Sequence, residues 1–193
     1  MSTRRKAHLP LLINDSGVLV GYVDENNIER TLGGTPIIAG TTPPASIVIA
    51  QSAVPASVTG TLSETVLATI PIPAGAMGPN GSLRITCLFS CTNSADTKTV
   101  RAKLGGVTQL SMPVTTHLSA QGFCVVTNRN AANSQVSAAG GTFGTGGSGG
   151  NPAIASSVDT SQAQNVTITG TIGANAGANT ITLESYLVEI LNP

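Results

Sequence analysis

The chain has 193 residues, 9 Lys and Arg against 9 Asp and Glu, and a formal net charge of zero. Charged residues make up 9% of it and aromatics 3%, with no Trp. A neutral chain lacks the clustered cations that a general polyanion binder needs to displace counterions. So few aromatics argue against base-stacking or sugar-stacking grooves. With 40% hydrophobic residues and no net charge, the composition predicts an ordered fold, not a disordered one. The length predicts one domain plus a short arm.

Residues 1–6 read as a basic tail carrying Arg4, Arg5 and Lys6. The apolar run behind it, residues 9–13, is short and broken by Pro10, unlike a secretory signal. No stretch approaches the ~20 apolar residues of a membrane helix. The chain therefore reads as soluble, made in a cytoplasm and without a membrane partner.

Residues 17–32 predict a small hairpin: 17–23 outward, Asp24-Glu25-Asn26-Asn27 as the turn, 28–32 as the return. A lone hairpin is marginal in water, so it needs a surface to lie on. Tyr22 and Arg30, one on each strand, are candidate attachment residues along with the basic tip. Residues 33–57 read as an extended linker, because Pro36, Pro43, Pro44 and Pro55 preset extended backbone and oppose helix. Within it, Ile47-Val48-Ile49 has the residues for one short strand.

From residue 58 the pattern becomes strand, turn, strand. Residues 61–73 carry one strand, and Asn80-Gly81 is a turn signal. Residues 82–91 alternate, with Leu83, Ile85, Cys87, Phe89 and Cys91 on one face. Residues 97–104 alternate as well, with Val100, Ala102 and Leu104 opposed to Arg101 and Lys103. Pairing these two strands as a hairpin predicts the register Phe89 with Val100, Cys87 with Ala102 and Ile85 with Leu104. Further strands are predicted at 107–112, 121–128, 133–138, 164–172 and 179–191. Residues 174–178 read as the loop that returns the chain between the last two. Residues 185–191 are apolar on both faces, as in a central strand or one covered by another chain.

No segment holds a helical apolar stripe over three turns. Many short strands at intervals of about ten residues predict an all-β antiparallel jelly-roll sandwich, preceded by the extended arm with its hairpin. The domain expectation is an arm over 1–57 and a jelly roll over 58–193.

The chemistry-bearing residues form no recognisable constellation. The glycine run 140–150 lacks the Lys and Ser or Thr that a phosphate-binding loop requires, since Asn151-Pro152 follow it. Gly146-Gly147-Ser148-Gly149-Gly150 matches the spacing of a nucleophile elbow, but no helix follows it. Glu184 and Glu189 are five residues apart, so on a regular strand they face opposite ways. His117 reads as a surface or interface residue. Cys87 and Cys91 on one strand stand ~13 Å apart, too far for a disulfide, and with Cys124 they read as small core residues. No cofactor, no metal and no enzymatic activity are predicted. Arg129 is the only Lys or Arg after Lys103. It predicts a buried ion pair with an acid of the same chain or a neighbour, with Glu184 as the candidate partner.

Several segments resemble virion proteins of tailed bacteriophages. They include Gly60-Thr61-Leu62-Ser63-Glu64-Thr65, Thr92-Asn93-Ser94-Ala95-Asp96-Thr97-Lys98, Val126-Thr127-Asn128-Arg129-Asn130 and Thr182-Leu183-Glu184-Ser185-Tyr186. The resemblance covers residues 58–193 and is to head decoration, head-fibre and tail-fibre proteins. It implies a jelly roll assembled as a homotrimer on the outer surface of a virion, and it supplies no catalytic residues. The expected partners are further copies of the chain and the major capsid protein or another virion protein, with no specific nucleic acid. A Pro-rich arm with a basic tip suits attachment to a capsid lattice. The alternative is a tail-fibre or receptor-binding tip that recognises the host surface through the glycine-rich loop. The scarcity of Trp and Tyr weighs against glycan recognition by that loop.

Overall fold

Alternation of apolar and polar residues builds the strands of this protein, seen in a computed structural model. The structure describes residues 46–138 and 153–191 in full, and before them the backbone of three strands. Those three are β1 (Leu11–Ile13), β2 (Leu19–Val23) and β3 (Glu29–Thr31). They form an antiparallel sheet in the order β1-β2-β3, so the predicted hairpin gains a third strand.

The second unit, Pro44–Pro193, carries eleven strands among its described residues. They are β4 (Ser46–Ser52), β5 (Ala56–Thr59), β6 (Thr65–Ile72), β7 (Ser82–Cys91), β8 (Lys98–Leu104) and β9 (Val107–Val114). Then follow β10 (Ser119–Asn128), β11 (Gln135–Ser137), β12 (Ile154–Ser156), β13 (Gln164–Ile172) and β14 (Thr180–Leu191). No helix occurs among the described residues.

One sheet has the order β12-β11-β10-β7-β14-β4, with β5 also pairing β14. The other has the order β6-β13-β8-β9. Their inner faces enclose one core that includes Leu83, Ile85 and Phe89 from the first sheet and Val100, Leu104 and Ile168 from the second. The chain changes sheet at β5–β6, β6–β7, β7–β8, β9–β10, β12–β13 and β13–β14. Eight strands in the orders β5-β14-β7-β10 and β6-β13-β8-β9 make an antiparallel jelly roll, with β4, β11 and β12 widening one sheet.

Three expectations change here. The first is the register of β7 with β8, which lie in different sheets. Phe89 pairs with Ala120 and Leu183, and Val100 pairs with Met112 and Gly170. Two strands with one apolar face bury it equally well side by side or face to face across a sandwich. Alternation chose the inward residues correctly and left the neighbour undetermined.

The second is the Asn80-Gly81 turn, which closes no hairpin and sits in a crossover between sheets. Gly81 is required there for a different reason. A Cβ on it would fall 1.5 Å from the Met77 carbonyl oxygen. The two-residue hairpin is instead Gly105-Gly106 between Leu104 and Val107, with φ of +54° and +81°. Residues 174–178 likewise carry the chain from one sheet to the other.

The third is the domain boundary. The compact units divide between Pro43 and Pro44, not at 57. Residues expected in the linker form β4 and β5, which pair consecutively along the same edge of β14. They supply the hydrogen-bond partners that β14 needs on that side. This makes β14 a central strand, as its apolar character on both faces suggested. A β-bulge between Leu183 and Ser185 resets its alternation.

Candidate functional site

The outer face of the larger sheet is built by the outward residues of β10, β7, β14 and β4. Cross-strand register places them in rows. One row runs Phe123, Thr86, Leu187, Gln51. The next runs Val125, Arg84, Glu189, Val48, and on the other side lie Gln121, Leu88 and Ser185. Leu88, Phe123 and Val48 are 41%, 49% and 51% exposed, large values for side chains of this type. Beside them the bulge of β14 opens a depression of about 210 Å³, lined in part by Leu88, Gln121, Ser185 and Leu187.

The charges on this face neutralise one another. Arg84 Nε donates to Glu189 Oε2 at 2.8 Å, and a second guanidinium nitrogen stands 2.7 Å from the same oxygen. The Glu189 side chain is 8% exposed, so the arginine and its valine neighbours cover it. The paired guanidinium offsets the hydration that this buried carboxylate gives up.

The outer face of the smaller sheet has the opposite character. Its rows run Thr69, Thr167, Lys103, Thr108 and Val66, Thr169, Arg101, Ser111. Glu64 lies against them. Lys103 Nζ is 2.7 Å from its carboxylate, Thr169 Oγ1 donates to it at 2.6 Å, and Arg101 stands at 3.9 Å. The Lys103 and Thr169 hydrogen bonds hold the Glu64 carboxyl below its ordinary value of 4.5. A depressed folded-state value contributes stability that is present above the unfolded value and is lost as pH falls through the folded one. Glu64→Gln should therefore lower the thermal midpoint near neutral pH, with the gap to wild type closing as pH falls from neutrality to below 4.5. Melting curves across that range check this, and a pH-independent gap would contradict it.

At one end of the sandwich a polar cluster ties two crossovers together. Lys98 is fully buried, and its ammonium donates to Asp96 O at 2.8 Å, Ser94 Oγ at 2.9 Å and Ser94 O at 3.4 Å. Ser94 Oγ donates to Asn179 Oδ1 at 2.6 Å, and Asn179 Nδ2 donates to Asp96 Oδ2 at 2.8 Å. Hydrogen bonds from Asn175 and Asn179 hold the Asp96 carboxyl below its usual range. An ammonium with three oxygen acceptors offers no lone pair to a substrate, so this cluster is a structural clamp.

The cysteines are three free thiols in the core. Burial pushes the thiols of Cys87 and Cys124 up to about 12, Cys87 with an added contribution from Cys124. Thiols of that kind carry almost no thiolate at neutral pH and are poor nucleophiles and metal ligands. This agrees with their expected role as small core residues. Among the described residues no group of three or more His, Cys, Asp and Glu is placed to hold a metal ion.

The candidate site residues fall as follows. Arg4, Arg5 and Lys6 lie outside the described residues. Tyr22 and Arg30 are cross-strand partners in the β2–β3 pair. Arg129 and Glu184 are not joined within the chain. Arg129 is exposed just past the end of β10, and Glu184 accepts a hydrogen bond from the Ser90 hydroxyl. The pair that the sequence reading missed is Arg84–Glu189. Both residues occupy outward positions of their strands, but only the β7–β14 register brings them opposite each other.

The strand order defines the class: an antiparallel jelly roll whose larger sheet exposes Leu88, Phe123 and Val48 on its outer face, and whose smaller sheet carries mainly threonines and charged side chains there. No protein-family model matches the chain, and no curated protein matches it in sequence. Solved structures similar to it include arcelin-5, a lectin-like defence protein from Phaseolus vulgaris, at 10% identity and a TM-score of 0.36. That match covers 96% of this chain and 91% of the other. A winged bean acidic lectin matches at 14% identity and a TM-score of 0.31, over 95% and 91%. The VP2 subviral particle of infectious bursal disease virus matches at 14% identity and a TM-score of 0.30, over 90% and 39%. Likeness at these values adds nothing to the strand order, on which the fold assignment rests.

No helix among the described residues is long and apolar enough to cross a membrane.

Proposed function

We propose that this chain is a virion structural protein that decorates a phage capsid as a homotrimer. The N-terminal unit attaches to the major capsid protein, and the jelly roll packs against its copies on the outer surface of the particle. The unequal outer faces of the sandwich carry this reading. An apolar face suits packing, and a Thr-rich face with charged side chains suits water. The protein acts by assembly in this reading, with no catalysis and no cofactor. Arg4, Arg5 and Lys6 supply the charge that an acidic capsid surface would attract, and Tyr22 and Arg30 belong to the attaching sheet. Three arms held by one trimer convert weak single contacts into durable attachment through effective concentration.

The test uses the unit boundary. Because β4 and β5 belong to the jelly roll, the deletion that removes the arm alone is residues 1–43. Capsids lacking the protein should take up the full chain on co-sedimentation and should not take up residues 44–193. Uptake of the truncated chain at the same level overturns attachment through the arm.

A further inference from the structure

We infer that the outer face of the larger sheet, centred on Leu88 and Phe123, is the surface on which copies of this chain pack together. The inference rests on the proposed self-assembly and names the surface that carries it.

Three observations select a second copy as the occupant. The first is apolarity at the centre of a wide sheet. Leu88, Phe123 and Val48 are about half exposed, with Val125 and Leu187 in the adjoining rows. The second is charge. Arg84 and Glu189 already satisfy each other, so this patch offers no unpaired charge to select an acidic or basic partner. A charged partner would bury its own ions against it without compensation. The jelly roll itself is the kind of neutral surface that fits, because residues 104–193 hold only four formal charges and Glu189 is one of them. The third is size. The four strands that build it, at ~4.8 Å spacing and about eight residues of ~3.3 Å each, give a face of roughly 500 Å². That is the size of the exposed patches that mark interaction sites, and more than half of the ~800 Å² each partner contributes to a standard interface.

The depression beside Leu88 gives the contact a shape. It lies on the same face as the protruding Phe123, so one copy presents both a knob and a hollow. On the opposite face the row residues are Val66 and otherwise threonines and a serine around Arg101, Lys103 and Glu64. Desolvating those ions and hydroxyls would cost free energy with only the Val66 side chain in these rows to offset it.

The experiment measures the mass of the full chain by light scattering at micromolar concentration. Wild type should give about three times 19.3 kDa. Leu88→Glu and Phe123→Glu should each drop to the monomer mass, a threefold change, with the β-sheet circular dichroism spectrum retained. Thr167→Glu, on the opposite face, should keep the wild-type mass. If a Glu variant unfolds, Gln121→Lys repeats the test at an exposed polar position of the same face, with the apolar side chains in place. If folded face variants keep the wild-type mass, this surface is wrong and self-assembly stands. If wild type is itself monomeric, self-assembly and the surface fall together.

Discussion

Replacing Gln135 by Ala should lower stability by about 3–5 kcal/mol, one of the two largest effects expected of a single substitution here. Gln135 is 1% exposed and sits where β11 leaves the last turn after β10. Its Nε2 is 2.9 Å from each of three acceptors: Asn128 Oδ1, Ala132 O and Val158 O. Its Oε1 accepts from Val158 N at 2.9 Å and Ser156 Oγ at 3.1 Å. One side chain thus satisfies the backbone on both sides of the segment between β11 and β12. Truncation removes the Gln135 partner of the Val158 amide, the Val158 carbonyl and Asn128 Oδ1, while Ala132 O keeps its bonds from Thr160, and each buried group left unpaired costs about 1–3 kcal/mol. Gln135→Glu should be comparably destabilising at neutral pH, because it sets a carboxylate oxygen against the three acceptors. Urea unfolding midpoints measure both, and an Ala midpoint within error of wild type would remove Gln135 from this role.

Phe89→Ala should cost a similar amount, about 3–5 kcal/mol, by a different route. Phe89 is fully buried on β7 at the middle of the core. Its cross-strand partners are Leu183 and the small Ala120, so little side-chain bulk beside it can collapse into the space left behind. The loss combines the transfer term of an aromatic ring with the cavity term. A typical domain is stable by only about 5–15 kcal/mol, so thermal melting should show a large drop. Phe89→Leu should keep most of the stability, because it refills much of the volume. Equal midpoints for the Ala variant and wild type would place the core elsewhere.

Comparison of particular strands shows which parts of this fold were legible in the sequence. Strands β7, β8 and β13 were legible because their apolar residues recur at alternate positions, as sheet burial requires, and β14 because it begins with that alternation and ends as an apolar run. β4 and β5 were largely hidden. Ser46–Ser52 and Ala56–Thr59 are short edge segments, flanked by the prolines that also mark an extended linker. Arg129 and Glu184 do not pair with each other for a related reason. Charge scarcity singled out the residue, but scarcity carries no information about which strand lies alongside. Arg84 and Glu189, 105 positions apart, meet only because β14 lies beside β7 in one register.

The Lys98 clamp and the Gln135 network were equally invisible. Lys98 occupies an inward position of β8, and alternation alone puts it in the core without saying what receives its charge. Its acceptors come from the preceding crossover, and Asn179 completes the cluster from the crossover before β14. Gln135 belongs to a three-residue strand too short to show a period.

The sequence by itself determined the all-β class, the inward faces of the regularly alternating strands such as β7 and β8, the reduced thiols and a neutral body with a basic tip. It did so because composition and period-two alternation are local properties, written within a few residues of each other. Only the tertiary structure decided which strands are neighbours, where the arm ends and the jelly roll begins, and which outer face is apolar. Those depend on whether a connecting loop stays in its sheet or crosses to the other. Both choices bury the same residues, so the contacts of the whole core decide between them.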